Sequence, residues 1–351
     1  MNSIGEVIDF LRAYDGPELR LMEVCGTHTD SIFKNGIRSL ISPRIKLISG
    51  PGCPVCVTSA AYIEKACELA KTEGFRVYTF GDMLKVAGSS SSLAAAKAEG
   101  AEVRMMYSPM ELLDNAAREK ELIHVAAAVG FETTIPVYGL LIEKCRELGL
   151  GNVRLITSLK SIFPALEHIC GSNNRIDGFL SPGHVSVITG EAAYRKLAEK
   201  YRKPFVISGF TAEHILLSIY DLVRQAARQR AEVHNLYGSV VRQEGNTRAA
   251  GMIDRYFDRT DTAWRGIGRI EGSGFRLKAA FEDFDISYDD TADSLDNGCS
   301  CAEVIMGKIN PDECSMFGRV CNPQNPMGPC MVSAEGSCGI WFRYKYDLST
   351  N

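Results

Sequence analysis

The sequence predicts an α/β fold, with two Rossmann-like parallel-sheet α/β domains that have a cleft between them and a small cysteine-rich C-terminal domain. Three observations support this prediction. Short apolar runs alternate with helix-like stretches up to about residue 230, which is typical of a parallel sheet covered by helices. Chemically reactive residue types follow several of the apolar runs. Six of the 12 cysteines lie from Cys299 onwards.

The composition bounds the class of protein. A chain of 351 residues can form two or three domains, and its 45% hydrophobic and 23% charged residues are ordinary for a globular protein. A net charge of −4 without a long basic run argues against nucleic acid and anionic membranes as partners. The first residues predict an amphipathic helix rather than a signal peptide, and no apolar run approaches the ~20 residues of a membrane span. We therefore expect a cytoplasmic protein, whose cysteines do not form a disulfide framework.

The apolar runs predict eight strands, with helical periodicity between them. The predicted strands are residues 19–24, 45–49, 76–80, 103–107, 123–129, 153–157, 178–180 and 205–208. The predicted helices include residues 60–71, 92–99, 110–120, 137–148, 192–201 and 212–229. We divide the chain into α/β domain I (1–120), α/β domain II (121–235) and a C-terminal domain (236–351), because irregular, glycine-rich pieces such as Gly266-Ile267-Gly268 appear after residue 235.

Reactive residue types follow five of the predicted strands. Because ligands bind at the carboxyl ends of strands in open parallel sheets, we expect these loops to line the cleft. None of them has a G-x-G-x-x-G or Walker A sequence, so a nucleotide is not predicted. The loops are Cys25-Gly26-Thr27-His28-Thr29, Gly50-Pro51-Gly52-Cys53-Pro54-Val55-Cys56, Gly81-Asp82, Gly130-Phe131-Glu132-Thr133-Thr134 and Ser181-Pro182-Gly183-His184-Val185-Ser186.

Cys53 and Cys56 lie in a turn stiffened by glycine and proline, between a strand and a helix predicted from about Ser59. Free backbone N–H groups and the helix dipole favour an anion such as a thiolate at that position. Half of a structural zinc site is the alternative, but the sequence has no second Cys-x-x-Cys to complete one. We predict redox or metal-handling chemistry for this pair.

Five further loop residues are candidates for chemistry. Cys25 and His28 can bind iron together, or His28 can act as a base on the thiol; the alternatives are a buried cysteine with a structural histidine and a Cys–His hydrolase. Glu132, like Asp82, can orient ligands or move protons, or it can cap the helix that follows. His184, in a Pro-Gly turn, is a similar candidate.

The C-terminal cysteines have the spacing Cys299-x-Cys301-x12-Cys314-x6-Cys321-x8-Cys330-x7-Cys338. Zinc or a [4Fe–4S] cluster would use four of them, and the spacing alone does not choose between the two. In an extended segment, residues two apart do not easily face the same cluster, so a spare thiol could join a redox-active pair. A cluster beside a dithiol can convert single electrons into two-electron thiol chemistry. We favour iron–sulfur over zinc.

Taken together, these motifs resemble those of the HypD family of hydrogenase maturation proteins. The resemblance covers nearly the whole chain and rests on the five loops together with two tail motifs. It implies two α/β domains and a [4Fe–4S] domain, and a role in assembling the Fe(CN)2CO group of [NiFe] hydrogenases. The tail motifs are Asp312-Glu313-Cys314-x-x-Phe317-Gly318 and Ser333-x-Glu335-Gly336-x-Cys338.

The resemblance also implies roles for individual residues. Cys25 would be the iron-binding thiolate with His28 beside it, and Cys53 and Cys56 would be a redox pair. The cluster ligands would be Cys299, Cys314, Cys321 and Cys338, with Cys301 and Cys330 as a spare redox pair. Glu132 and His184 are the other two residues that we predict to take part in the chemistry. Thr211 and His214 stand where the family usually carries acidic residues, so we assign no role to that loop.

The implied partners are a small HypC-like chaperone that shares the iron, and a HypE-like protein that delivers cyanide from a thiocyanate-bearing tail. We expect a scaffold that also supplies electrons, rather than an enzyme with independent turnover, and a transiently bound iron carrying CN and CO ligands. The alternative is an iron–sulfur thiol–disulfide oxidoreductase of the ferredoxin:thioredoxin reductase type. A zinc-stapled interaction protein is a third possibility.

Overall fold

The computed structural model describes residues 3–172, 175–291 and 298–346. Its strands are β1 (Leu19–Glu23), β2 (Ile45–Ser49), β3 (Phe75–Thr79), β4 (Val103–Met105), β5 (Ile123–Gly130), β6 (Val153–Lys160), β7 (Gly178–Pro182), β8 (Phe205–Ser208), β9 (Val233–Asn235), β10 (Phe257–Trp264) and β11 (Gly268–Leu277). Its helices are α1 (Ile4–Arg12), α2 (Gly26–Lys34), α3 (Ile37–Leu40), α4 (Ala60–Lys71), α5 (Gly81–Leu84), α6 (Leu93–Ala98), α7 (Glu111–Arg118), α8 (Ile135–Glu147), α9 (Ile162–Gly171), α10 (Gly183–Thr189), α11 (Arg195–Tyr201), α12 (Ala212–Ala227), α13 (Thr247–Tyr256), α14 (Cys301–Ile305), α15 (Pro329–Val332) and α16 (Ser337–Tyr346).

The strands form two sheets in which parallel pairing dominates. The first sheet has the order β2-β1-β7-β8-β9 and is parallel throughout. The chain leaves β1 towards β2 on one side, whereas β7 pairs with β1 on the other side, so the strand order reverses between β1 and β7. Ligands of open α/β sheets bind in the crevice at such a reversal. The loop that carries Cys25 and the loop that carries His184 both begin there.

The second sheet has the order β10-β11-β6-β5-β3-β4. Strands β4, β3, β5 and β6 are parallel, whereas β11 runs antiparallel to β6 and pairs with β10 in a hairpin. In this sheet the strand order reverses between β3 and β5. The loop with Asp82 therefore follows one strand of the reversal, and the loop with Glu132 follows the other.

Side-chain hydrogen bonds cap the N-termini of several helices. In α1, the Ser3 hydroxyl and the Glu6 carboxylate form a reciprocal capping box. Ser59 caps α4 and Thr211 caps α12, each accepting the backbone N–H three residues on. Strands such as β8 are buried at every position, which is the pattern of a parallel strand covered on both faces.

The structure separates into two compact units whose segments alternate along the chain. Unit 1 comprises Met1–Cys53, Ala165–Thr247 and Cys299–Asn351, and unit 2 comprises Pro54–Pro164 and Arg248–Gly298. Unit 1 contains the first sheet and the cysteine-rich tail; its hydrophobic core includes Leu21, Leu47, Leu180, Val206 and Ile219. Unit 2 contains the second sheet.

The predicted domain boundaries at residues 120 and 235 do not coincide with these units. Strands β3 and β4 pair in the same sheet as β5 and β6, although the expected boundary separates them. Likewise, β1 and β2 share a sheet with β7 and β8. Hydrogen bonding between strands far apart in sequence caused the difference, because a boundary drawn along the chain assumes that neighbours in sequence share a sheet.

All eight predicted strands are present, with ends shifted by up to three residues. Strands β9, β10 and β11 were not predicted. The glycine-rich piece that we interpreted as irregular is the turn of the β10–β11 hairpin, where Gly266 and Gly268 have φ values of 69° and 115°. No helix in the described part of the chain is long and apolar enough to cross a membrane.

Candidate functional site

Cys25 stands at the N-terminus of α2, immediately after β1. Its backbone is extended, and its carbonyl accepts the N–H groups of His28 and Thr29, so it is the N-cap residue of the helix. The thiol is partly buried. Burial raises the pKa of the Cys25 thiol, whereas the Thr27 hydroxyl and the backbone N–H groups of Thr27 and His28 lower it. Those donors can stabilise a thiolate at this position.

His28 lies one turn into the same helix and is fully buried. Its Nε2 atom is 3.1 Å from the carbonyl oxygen of Gly209, and its ring centroid is 4.9 Å from that of Phe210. The Nδ1 atom is buried and has no hydrogen-bond partner among the described residues. Burial lowers the pKa of His28 to about 4, so the imidazole is neutral at pH 7 and can act as a metal ligand.

Cys53 follows β2 in the loop next to Cys25. It is buried, and its thiol donates a hydrogen bond to the Ser333 hydroxyl over 3.3 Å. The loop is packed tightly, because a Cβ at Gly52 would lie 2.6 Å from the Cα of Cys25. Cys56 is also buried, in a 3-10 turn at Val55–Val57, and the Ser59 side chain caps α4. The helix therefore begins close to the predicted position, four residues after Cys56.

His184 lies in the first turn of α10, after β7, and is exposed. Its ring stacks on Phe210, with centroids 4.1 Å apart and planes at 29°. Desolvation of its buried part lowers the pKa of His184. Phe210 thus contacts both His28 and His184, and it belongs to the loop to which the sequence assigned no role.

Glu132 is buried in unit 2. Its Oε1 atom accepts hydrogen bonds from the Ser161 hydroxyl over 2.6 Å and from the N–H of Ile162 over 3.1 Å. Its Oε2 atom is buried without a hydrogen-bond partner in the described residues. Burial raises the pKa of Glu132. The carboxylate therefore caps α9 and not α8, the helix that follows it, so the capping alternative was wrong about which helix is capped.

The C-terminal thiols cluster around a small apolar cavity. The cavity is lined by Cys299, Cys301, Cys314, Cys321 and Cys338, with Val304, Met316, Phe317, Met327 and Met331. The Sγ atoms of Cys299 and Cys301 are 3.1 Å apart, and the Cys338 thiol is hydrogen-bonded to those of Cys301 and Cys330. A Cβ at Gly328 would lie 2.5 Å and 2.7 Å from the first two sulfur atoms. These contacts bring the thiols together without dividing them into a ligand set and a pair.

The donor set suits an iron–sulfur cluster. The cavity-lining residues include no carboxylate or imidazole, and soft thiolates in apolar surroundings are the ligands of such clusters. Burial raises the pKa of Cys321, and the neighbouring thiols raise it further. In the described residues no group of three or more His, Cys, Asp or Glu side chains has the geometry to hold a single metal ion. The thiols instead line a cavity, and the absence of a side chain at Gly328 leaves space beside the sulfur atoms of Cys299 and Cys301.

The tail also packs against the other two cysteine loops of unit 1. The Ser333 hydroxyl accepts the bond from Cys53, and a Cβ at Gly26 would lie 2.3 Å from the backbone oxygen of Glu335. The Glu335 carboxylate raises the pKa of Cys25. The segment from Ser333 to Glu335 therefore joins the loops of Cys25 and Cys53 to the thiol cluster.

Comparison with known proteins decides the family. The sequence model of the HypD family, described as "Hydrogenase formation hypA family", matches residues 3–345. This chain belongs to the HypD family. The hydrogenase maturation factor HypD of Azotobacter vinelandii is 40% identical to it over 93% of this chain and 89% of the relative. Those of Rhodobacter capsulatus and Escherichia coli (strain K12) are each 37% identical, over 97% and 93%, and over 94% and 90%, of the two chains.

Membership of the HypD family confirms the resemblance inferred from the motifs. The structure brings Cys25 and Cys53 together with the tail, and the ring of Phe210 contacts both His28 and His184. Glu132 and Cys56 belong to unit 2. The roles of these residues, the [4Fe–4S] cluster and the HypC-like and HypE-like partners stay predictions.

Sequence reasoning missed two features of unit 1. The loop at Gly209 and Phe210 holds His28, although no local pattern indicates it. A buried ion pair joins Glu23 to Arg38, with Oε1 and Nη2 3.1 Å apart. The signal for Glu23 was available, because a carboxylate within the apolar strand Leu19–Glu23 requires a partner.

Proposed function

We propose that this chain is a scaffold for assembly of the Fe(CN)2CO group of [NiFe] hydrogenases, and that it also supplies electrons to that assembly. One observation carries the proposal: the loops of Cys25 and Cys53 and the thiol-rich tail meet in one unit at Ser333 and Glu335. The HypD relatives that are named hydrogenase maturation factors provide the context.

Cys25 is the proposed iron anchor. Cys25 is half-buried and lies at the strand reversal of the first sheet, and the Thr27 hydroxyl and two backbone N–H groups can donate to its thiolate. His28 adds a neutral imidazole with an unpaired Nδ1. A thiolate from a HypC-like chaperone would complete the donors around the iron, which is the cargo of the scaffold and not its resident cofactor.

Cys53 and Cys56 are the proposed source of electrons for cyanide release. Cleavage of a thiocyanate R–S–C≡N to R–S⁻ and CN⁻ consumes two electrons. Oxidation of a dithiol to a disulfide releases two electrons and two protons. One oxidation of this pair therefore supplies the two electrons needed to release one cyanide. Reducing the disulfide again requires two electrons from a low-potential one-electron carrier protein. A HypE-like protein would be the thiocyanate donor.

The tail is the proposed site of a [4Fe–4S] cluster, which supplies electrons one at a time when it is bound. Cys299, Cys314, Cys321 and Cys338 would hold it, and Cys301 and Cys330 would form a dithiol beside it. The apolar lining, with five thiols and no carboxylate or imidazole, supports this assignment over zinc, which binds at a point among four converging ligands. Anaerobically purified protein should therefore contain acid-labile sulfide; a colourless protein with zinc would contradict the assignment.

The decisive experiment is infrared spectroscopy of the anaerobic protein with its small chaperone partner. Wild-type protein should show iron-bound cyanide and carbonyl stretches. Cys25→Ala should lose these bands while retaining its cluster iron and sulfide. Cys170→Ala is the matched control, because this buried thiol lies on α9 of the same unit, away from the loops that carry the proposal. Bands that persist in Cys25→Ala would contradict the anchor, whereas their absence from the wild-type protein would favour the thiol–disulfide oxidoreductase.

A further inference from the structure

The imidazole of His28 is held by a turn that follows another strand of the first sheet. Gly209 and Phe210 follow β8, which is separated from β1 by β7. The carbonyl oxygen of Gly209 is 3.1 Å from Nε2 of His28, and the Phe210 ring packs against the imidazole at 4.9 Å and 33°. The backbone carbonyl of Ser208 lies within reach of the same imidazole.

The turn also forms a hydrogen bond with the helix that carries His28. The carbonyl oxygen of Phe210 accepts a hydrogen bond from the Ser31 hydroxyl over 2.7 Å. Ser31 and His28 are three residues apart, so adjacent carbonyls of the turn contact adjacent turns of one face of α2. The turn has little room to move, because a Cβ at Gly209 would lie 2.2 Å from Nδ1 of His214.

This geometry decides which nitrogen of His28 carries the proton. A carbonyl oxygen only accepts hydrogen bonds, so Nε2 must donate. A neutral imidazole has one N–H group, and Nδ1 is therefore left with its lone pair. That atom is buried and has no hydrogen-bond partner among the described residues. Metal-binding histidines commonly donate their second ring N–H to a backbone carbonyl in this way.

His28 lies one turn after Cys25 on the same helix. Cys25 is the N-cap residue and His28 is the third residue of the helix. Both residues therefore lie in the first turn, at the same end of the helix. Nδ1 is the ring nitrogen nearer to the backbone of this turn.

We infer that the turn at Gly209 and Phe210 sets the tautomer and orientation of His28, so that Nδ1 is the nitrogen offered to the iron. Phe210 is thus a positioning residue, and its ring contacts both the buried His28 and the exposed His184. The iron-binding part rests on the proposed function, whereas the tautomer is a property of the protein without iron.

The test is nuclear magnetic resonance of the full chain labelled with ¹⁵N in its six histidines. Long-range proton–nitrogen correlations separate the two tautomers, and a His28→Gln variant identifies the His28 signals. At pH 7 we expect the Nε2–H tautomer alone, with slow exchange of this proton because it is buried and hydrogen-bonded. An Nδ1–H tautomer or a charged imidazolium in the wild-type protein would overturn the inference.

Phe210→Leu removes the ring and keeps the backbone carbonyls. It should speed exchange of the Nε2 proton at least tenfold and populate the second tautomer. The control is Phe33→Leu, which removes an aromatic side chain from α2 that packs against Trp341 instead of His28. An unchanged exchange rate and tautomer in folded Phe210→Leu would remove the positioning role.

Infrared spectra of iron-loaded protein separate this inference from the proposed function. We expect Phe210→Leu to shift or broaden the cyanide stretches, and Phe33→Leu to leave them in place. Absence of all iron-bound cyanide bands from the wild-type protein would contradict the proposed function. The tautomer measurement would still test whether the turn positions His28, because it does not require iron.

Discussion

Replacement of Arg38 by methionine should change how the stability of unit 1 depends on pH. The Glu23 side chain is fully buried, and its Oε1 atom pairs with Nη2 of Arg38 at 3.1 Å. The guanidinium also packs against Trp341, at 4.6 Å from its ring centroid, and against Phe33 at 5.1 Å. Arg38 therefore links the strand that leads to Cys25 with the helix that begins beside Cys338.

The direction of the effect follows from the pKa of Glu23. Burial raises it from 4.5 to about 7, although Arg38 opposes the shift. Because the folded state binds the proton more tightly, the contribution of Glu23 to stability is largest below pH 4.5 and falls as pH rises to 7; above pH 7 both states are ionised and this contribution is level. Without Arg38, the folded-state pKa rises further, so stability continues to fall above pH 7 by about 1.4 kcal/mol per pH unit.

The difference in free energy of unfolding between wild type and Arg38→Met should therefore grow by about 2–3 kcal/mol between pH 7 and pH 9. The lost cation–π contacts add about 1–2 kcal/mol at every pH. Urea unfolding in a Trp264→Phe background measures unit 1, because Trp341 is then the remaining tryptophan. The double variant Glu23→Gln/Arg38→Met should lose the additional slope. An equal difference at pH 6 and pH 9 would refute the reasoning.

Two further substitutions test individual contacts. Gly328→Ala places a methyl group 2.5 Å from the Sγ atom of Cys299 and should lower the iron and sulfide content of the purified protein; Gly151→Ala, with no atom within 4 Å, should not. Glu132→Gln keeps an oxygen that can accept from Ser161 and should change the free energy of unfolding of unit 2 by less than about 1 kcal/mol. Glu132→Ala leaves the buried donors unpaired and should cost about 1–3 kcal/mol. Both variants are measured by urea unfolding in a Trp341→Phe background, where Trp264 of unit 2 is the remaining tryptophan; equal losses in both would contradict the capping role.

The eight predicted strands were found because a buried parallel strand is a continuous apolar run, and that signal is local. The β10–β11 hairpin was missed because its glycine turn looked irregular, and only its pairing with β6 identifies it as part of a sheet. The predicted domain boundaries differ from the two compact units for a related reason. The pairing of β1 with β7 joins residues that the sequence separates by more than one hundred positions, and apolar patterning does not encode partner choice.

For the candidate site, the sequence by itself determined which donor groups are present, namely the thiols and the imidazoles, because these are properties of the residue types. It also determined which loops carry them, because each loop follows a strand that the apolar pattern predicts. Only the tertiary structure decided which donors meet. Ser333 and Glu335 contact the loops of Cys53 and Cys25, and Gly209 determines which nitrogen of His28 holds the proton. Burial and hydrogen-bond partners set these properties, and both come from segments that are distant in the chain and adjacent only after the sheet has formed.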